Sequence, residues 1–407
     1  MNGKHDVLIV GSGFSGSIIA RELAEHNNIA SLVLEQRDHI AGNMFDEFDR
    51  HGILVQKYGP HVIHTNSIWI IKYLEQFAEL VPHCLRMVSH IDNQHVRLPF
   101  NFETLQQLLP LERAERLLAL FRQAFAGRNR VTVFELVEHE NSEIREYGEL
   151  LFEKAYRPYV AKQWELSPDD IDRSVLNRVQ LAMNYDERYV DMDFQRLPKY
   201  GFTNLFENML NHPNIEVRLN TDALEQISLD ESSGMVCYDG KSYELVVFTG
   251  AIDELFNMRY GTLPYRSLDI RYRYERTESA QPSEIVSYPQ AVGYTRSTEY
   301  RKLCYFPLNT PYTVIATEYP CAYDKNAQKG NLPYYPIITE GNMALYRKYL
   351  SYSQKFKNLL LCGRLAEYRY YSMDDVIRST FDKLDALREK LGLTNTSSIQ
   401  SPKSARR

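Results

Sequence analysis

Val7-Leu8-Ile9-Val10 is an unbroken apolar run of strand formers, and it stops at Gly11-Ser12-Gly13-Phe14-Ser15-Gly16. Beyond the glycines the apolar positions shift to helical spacing through Ile18, Ile19, Leu23 and Ala24. Ile29 to Glu35 then predicts a second strand. Strand, glycine-rich turn, helix and strand in about thirty residues predict the βαβ opening of a doubly wound sheet.

Phe45 to Gln56 is polar and turn-rich, and Trp69 to Phe77 has a helical pattern. Val88 to Phe100, broken by Asp92-Asn93, predicts a hairpin. From Phe102 to about Trp164 the spacing is helical, first in Leu105, Leu108, Leu109, Leu117, Leu118 and Phe121. It is helical again in Leu150, Leu151, Phe152 and Tyr156, which predicts an inserted helical domain. Short strands follow over Val217–Leu219, Met235–Tyr238 and Tyr243–Thr249; the last, ending in Thr249-Gly250, could return to the first sheet. Residues 265–323 alternate with period two, as in Leu268, Ile270, Tyr272 and Tyr274, and predict an antiparallel sheet with a polar face. Phe356 to Cys362 predicts a buried strand ending in Gly363-Arg364. Asp374 to Leu391 predicts a helix with Val376, Ile377, Phe381, Leu384 and Leu387 as its apolar stripe. The layout is α/β, a nucleotide domain built from separated pieces with a helical and a sheet domain inserted.

Composition narrows the function classes. The 407 residues carry 47 basic and 53 acidic side chains, a formal net charge of −6, which gives no support to bulk nucleic-acid binding. Five cysteines, none in a CxxC pair, predict a reducing compartment and no structural zinc. No stretch approaches the roughly 18 apolar residues of a membrane span, and the start has no secretory apolar core. A cytoplasmic location is expected.

Gly11, Gly13 and Gly16 have the GxGxxG spacing. Gly11 permits the tight turn, Gly13 lets backbone N–H groups approach a pyrophosphate, and Gly16 permits close helix–strand packing. The helix N-terminus then faces the phosphates. Glu35, ending the second strand, is placed to accept a hydrogen bond from a ribose 2′-hydroxyl, and its charge disfavours a 2′-phosphate there. Arg37 and Gly42-Asn43 follow as if wrapping back over a long ligand. FAD and NAD both fit this pattern; no second glycine fingerprint serves another dinucleotide. Arg296 lies in a tyrosine-rich, half-buried strand region, where an unpaired guanidinium is unfavourable and a nucleoside diphosphate would supply the counter-charge. Asp374 reads most simply as a helix N-cap.

Several segments carry a resemblance. IVGSGFSG and LEQRDHIAGN within Val7–Asn43, Tyr58-Gly59-Pro60-His61-Val62-Ile63-His64-Thr65, Lys162-Gln163-Trp164 and the run Gly293 to Glu299 are four of them. Pro333-Tyr334-Tyr335-Pro336-Ile337 and Gly363-Arg364 through Tyr368-Arg369-Tyr370-Tyr371-Ser372-Met373-Asp374 are the others. In this order, from residue 7 to about 390, the chain resembles the UDP-galactopyranose mutase family. The resemblance implies a discontinuous Rossmann-like FAD-binding domain (1–85, 200–255 and 337–392) and a helical insertion (101–184). It adds an antiparallel sheet substrate domain (86–100, 185–199 and 256–336), with 393–407 as a disordered tail.

It also implies the site. FAD, active when reduced, would be held by Gly11, Gly13, Phe14, Ser15, Gly16, Glu35, Gln36, Arg37, Gly42, Asn43, His61, Arg364, Met373 and Asp374. His64 would lie at the flavin face, and Arg178 and Arg296 would hold the substrate diphosphate, a geometry suited to the guanidinium fork. Tyr159 would lie against the uracil ring and Trp164 at the substrate cleft, with Tyr185 and Tyr189 nearby. Glu318 would lie near the sugar, and Tyr335 and Tyr370 would donate hydroxyls to the phosphates, with Tyr334 not separable from Tyr335. The implied reaction interconverts UDP-galactopyranose and UDP-galactofuranose through a flavin N5–sugar C1 adduct. An external reductant or NAD(P)H would reduce the flavin, and a homodimer is expected. Ser372 stands where the family has an acid. That departure leaves open a related sugar nucleotide, dTDP-fucopyranose or UDP-N-acetylgalactosamine. An amine-oxidase-type flavin oxidoreductase shares the glycine loop alone.

Overall fold

The computed structural model describes residues 5–165, 179–327, 331–391 and 393. The expected tail therefore lies outside the described residues apart from Leu393.

Five parallel strands form one sheet in the order Ile215–Arg218, Ser31–Leu34, Val7–Val10, Leu245–Phe248 and Leu359–Leu361. The three central strands are almost wholly buried, which is why they read as continuous apolar runs. The Phe14–Asn27 helix covers the sheet with Ile19, Ala20 and Leu23, and the Met373–Leu391 helix packs beside it through Leu384 and Leu387. Burying each such aliphatic side chain contributes roughly 1.5–3 kcal/mol before the entropy of ordering is counted.

The second sheet has seven strands, in the order Tyr335–Pro336, Tyr265–Glu275, Thr313–Ala322, Arg296–Glu299, Ile285–Ser287, Met87–Ile91 and Gln94–Leu98. The period-two pattern predicts antiparallel pairing, and all neighbours obey it except Ile285–Ser287 against Met87–Ile91, which run parallel. Those two strands are far apart in the chain, so no tight turn constrains their direction.

The helical stretch holds helices over Phe102–Leu108, Leu111–Ala124, Val133–Val137, Ser142–Leu151 and Arg157–Trp164. Asn101 and Thr104, and likewise Thr132 and Glu135, form capping boxes that start two of them. A five-residue π-turn, Phe152–Tyr156, joins the last two helices. Such wide turns recur at functional sites.

Two local expectations change. Phe45–Gln56 contains a short ribbon, Asp46–Phe48 against Leu54–Gln56, because the Asp49 carboxylate accepts from His51 N–H and Ile53 N–H and closes the turn. The Met373–Leu391 helix begins one residue before Asp374, and its cap is Ser372. Ser372 Oγ accepts from Asp375 N–H at 3.4 Å, while Asp375 Oδ2 accepts from Ser372 N–H at 3.0 Å.

Candidate functional site

A single cavity of about 1020 Å³ runs from the glycine loop, at the carboxyl ends of the parallel strands, to the inner face of the seven-stranded sheet. In open parallel sheets that edge is where ligands bind.

At the first end, Gly11 has φ +101°, and a Cβ on Gly16 would lie 2.0 Å from Gly11 O. A Cβ on Gly13 would meet nothing within 4 Å, so this residue opens onto the cavity. Glu35 lines the same end, yet its carboxylate braces the loop: Oε2 accepts from Ser12 N–H at 3.0 Å and Ser12 Oγ at 2.7 Å, and Oε1 from Arg37 N–H at 3.1 Å. Arg37 stacks on the Tyr58 ring at 4.6 Å and donates through Nη2 to Asn43 Oδ1 at 2.9 Å. Its Nε and Nη1 are buried without a partner among the described residues. Two unused guanidinium donors beside an open glycine loop fit an anionic dinucleotide. Phe14, Ser15, Gln36, Gly42 and Asn43 share this lining, and Gly16 stands behind it as packing.

In the middle, His61, Arg364 and Met373 line the cavity. The Gln56 side chain grips the His61 backbone on both sides, accepting from N–H and donating to O at 3.2 Å. His61 Nδ1 is shut off from water and has no hydrogen-bond partner among the described residues. Burial, reinforced by the charges of Arg364 and Arg296, pushes its pKa down to about 3. It is therefore neutral at pH 7, and its open nitrogen suits a polar ring system. His64, in register with Gln195 on the neighbouring strand, also lines the cavity, with Nδ1 at 3.2 Å from Met192 Sδ.

At the far end three aromatic rings from distant segments converge. Trp164 lies 6.4 Å from Tyr335 and 5.8 Å from Tyr370, those tyrosines are 5.2 Å apart, and Arg364 stacks on Tyr335 at 5.0 Å. Tyr159 and Tyr189 line the same end. Tyr335 reaches the cavity, whereas Tyr334 is 3% exposed and turned into the core.

Arg296 lines the cavity as well, but it is not unpaired. Its Nε lies 2.7 Å from Glu318 Oε2, and the two residues are register partners on adjacent strands. The counter-charge expected from a ligand is thus already present beneath it. Glu318 is buried behind Arg296 and does not itself line the cavity.

Two other expected site residues stand apart. Tyr185 is exposed, its ring edge-on to Phe102, and lies outside the cavity. Asp374 accepts from Ser372 Oγ at 2.6 Å and is not in the lining, although Ser372 is. Arg178 lies outside the described residues.

Other lining residues were not anticipated. Asn220 and Thr221 turn back to donate backbone N–H groups to Arg37 O and Glu35 O, and Asn220 to Leu224 close the glycine-loop end. Their signal was an Asn-Thr-Asp turn following a strand that joins the parallel sheet. Lys162, behind the lining, donates through Nζ to three carbonyls, Tyr288 O at 2.5 Å, Ala291 O at 2.7 Å and Tyr294 O at 2.8 Å. Burial lowers its pKa to about 8, so it still carries its proton at pH 7. The buried Arg266 holds the same helix end through Gln163 O and Glu165 Oε2.

The UDP-galactopyranose mutase family profile matches residues 154–370, and an NAD(P)-binding Rossmann-like profile matches residues 9–77. A UDP-galactopyranose mutase of Mycoplasma genitalium is 35% identical over 94% of both chains. The chain belongs to the UDP-galactopyranose mutase family. A dTDP-fucopyranose mutase of Escherichia coli is 34% identical over 92% of this chain and 96% of its own. The crystal structure of a reduced UDP-galactopyranose mutase superposes with a TM-score of 0.69 at 16% identity, covering 98% of this chain and 96% of that one. A putative protoporphyrinogen oxidase from Exiguobacterium shares the fold, with a TM-score of 0.67 at 13% identity. The chain is accordingly an isomerase of the pyranose mutase type and a flavoprotein. No helix among the described residues is long and apolar enough to cross a membrane.

Proposed function

We propose that the chain interconverts UDP-galactopyranose and UDP-galactofuranose with FAD in its reduced form. One observation carries the reading: a single cavity joins the glycine loop to Arg296, Tyr159 and Trp164, so a dinucleotide and a nucleotide sugar can meet inside it. Reduced FAD, when bound, supplies the nucleophile for the anomeric carbon, so no serine or cysteine nucleophile is required.

The chain's own residues orient, shield and hold charge. The Gly11–Gly16 loop and Arg37 grip the cofactor's phosphates. Arg296, steadied by Glu318, holds the diphosphate while its bond to the sugar is broken and remade; Arg178 is proposed as the second clamp. Tyr159 and Trp164 wall the nucleotide, and Tyr335 and Tyr370 offer hydroxyls to the phosphates. His61 and His64 present ring nitrogens to the flavin edge. An external reductant or NAD(P)H, a cytoplasmic location and a homodimer complete the proposal; light scattering at two concentrations tests the last.

The similarity to the dTDP-fucopyranose mutase and the presence of Ser372 favour a second reading, in which a dTDP-sugar is the substrate. Dithionite-reduced protein given UDP-galactofuranose and dTDP-fucofuranose, with products separated by chromatography, distinguishes them. Turnover of the UDP-sugar by reduced enzyme alone is expected. Equal turnover by the oxidised enzyme, or a preference of more than tenfold for the dTDP-sugar, overturns it.

A further inference from the structure

Arg37 and His39 stand two residues apart in the turn after Ser31–Leu34, and both address the Tyr58 ring. The Arg37 guanidinium lies over its face at 4.6 Å, and His39 Nε2 is 2.7 Å from its hydroxyl oxygen. His39 is itself fixed twice. Its ring stacks on Phe45 with centroids 3.7 Å apart and planes 13° from parallel, and Nδ1 lies 2.8 Å from Ile40 O.

A carbonyl oxygen can only accept, so Nδ1 carries the ring proton and donates it to Ile40. Burial lowers the His39 pKa, which keeps the imidazole neutral at pH 7. Nε2 is then a bare acceptor, and the Tyr58 hydroxyl donates to it. The hydroxyl end of the ring is thereby pinned, and with it the surface on which Arg37 rests. Arg37, His39 and Tyr58 all line the cavity. Arg37 donates to Asn43 Oδ1, while its Nε and Nη1 are buried with no hydrogen-bond partner among the described residues. A long side chain that is ordered before its anion arrives loses less freedom on binding, so a fixed guanidinium holds the anion more tightly.

We propose that His39 is a positioning residue for the cofactor: through the Tyr58 hydroxyl it fixes the ring on which Arg37 lies, and so holds Nε and Nη1 ready for the cofactor's phosphates. This rests on reading the cofactor as FAD. Because His39 acts through Tyr58 and Arg37, its loss should go unnoticed once Arg37 is gone.

The test follows flavin release from the purified holoenzyme, by the rise in flavin fluorescence after dilution, in the parent, His39→Leu, Tyr58→Phe and the double variant. Each single variant should speed release about five- to tenfold, the effect of one lost hydrogen bond. The double variant should release flavin no faster than the faster single one, since both remove the same bond. His39→Gln, whose amide oxygen can accept from Tyr58 in place of Nε2, should stay within about threefold of the parent. In an Arg37→Met background, His39→Leu should change release by less than about twofold. Where Arg37→Met retains too little flavin to measure, the comparison of His39 and Tyr58 variants decides alone. Parent-like release from His39→Leu or Tyr58→Phe, losses that add in the double variant, or a full effect of His39→Leu without Arg37 overturns the assignment. A parent that purifies without flavin overturns the FAD reading beneath it instead.

Discussion

Arg296 and Glu318 face each other across neighbouring strands, with Nε and Oε2 2.7 Å apart, the arginine side chain 23% exposed and the carboxylate 1%. The pair is neutral as a unit. A diphosphate arriving at Arg296 therefore meets a guanidinium already fixed in place, whose charge is partly answered from behind.

Glu318→Gln removes that answer while keeping the shape. The ligand-free protein should lose about 3–5 kcal/mol of stability, because the Arg296 charge is left without its buried partner. UDP should then stabilise the variant more than the parent, since its phosphates restore the balance. Thermal shifts with and without UDP measure this; an equal UDP shift in both proteins would contradict it.

Lys162→Met should loosen the Tyr288–Tyr294 turn that leads into Arg296. No carboxylate replaces the three carbonyl contacts, so the loss is of position. A rise in KM of tenfold or more, with flavin content unchanged and kcat falling less, is the expected pattern. Equal falls in kcat and flavin occupancy would mean the lysine supports the fold as a whole.

His61 gives a pH dependence with a definite sign. Its folded pKa is about 3, against an ordinary unfolded value near 6.5. Between those values the unfolded chain binds more protons, so stability rises with pH across that window and is lost on acidification. Denaturant midpoints of the flavin-bound protein should fall from pH 7 to pH 4, and His61→Asn should remove about 3 kcal/mol of that fall. Identical slopes for parent and variant would exclude this histidine as the source.

Gly13→Asp should abolish flavin retention, by setting a carboxylate in the space that now opens onto the cavity. Flavin-to-protein absorbance after purification should drop at least tenfold while the circular dichroism spectrum persists. A parent-like absorbance ratio would move the phosphates away from this loop.

Ser372→Ala should lower stability by about 1 kcal/mol through loss of the helix cap. Asp374→Ala should have a smaller effect, although Asp374 looks like the cap by sequence position. A larger loss for Asp374→Ala in urea unfolding would reverse the assignment.

The local features of the site were readable in the chain. Strand, glycine turn and helix are neighbours in sequence, so residues 7–27 declare themselves by period alone. The converging Trp164, Tyr335 and Tyr370 were readable only through the family resemblance, because nothing in periodicity brings such distant rings together. The Arg296–Glu318 pair was missed because the partners are set by strand register, which a one-residue slip would invert. Tyr185 stands outside the cavity although Tyr189, four residues on, lines it. Proximity in sequence could not say which ring turns inward.

The parallel sheet has a consequence for synthesis. One of its two edge strands, Leu359–Leu361, pairs with Leu245–Phe248, and the cavity's lining runs from Val10 to Val376. A ribosome delivering this chain completes the glycine loop almost at once, yet the walls opposite it emerge only near the end. Cofactor loading is thereby expected to wait for the last segments, and a ribosome stalled before Gly363 would carry a nascent chain with phosphate-binding backbone but a pocket lacking its Gly363–Val376 wall.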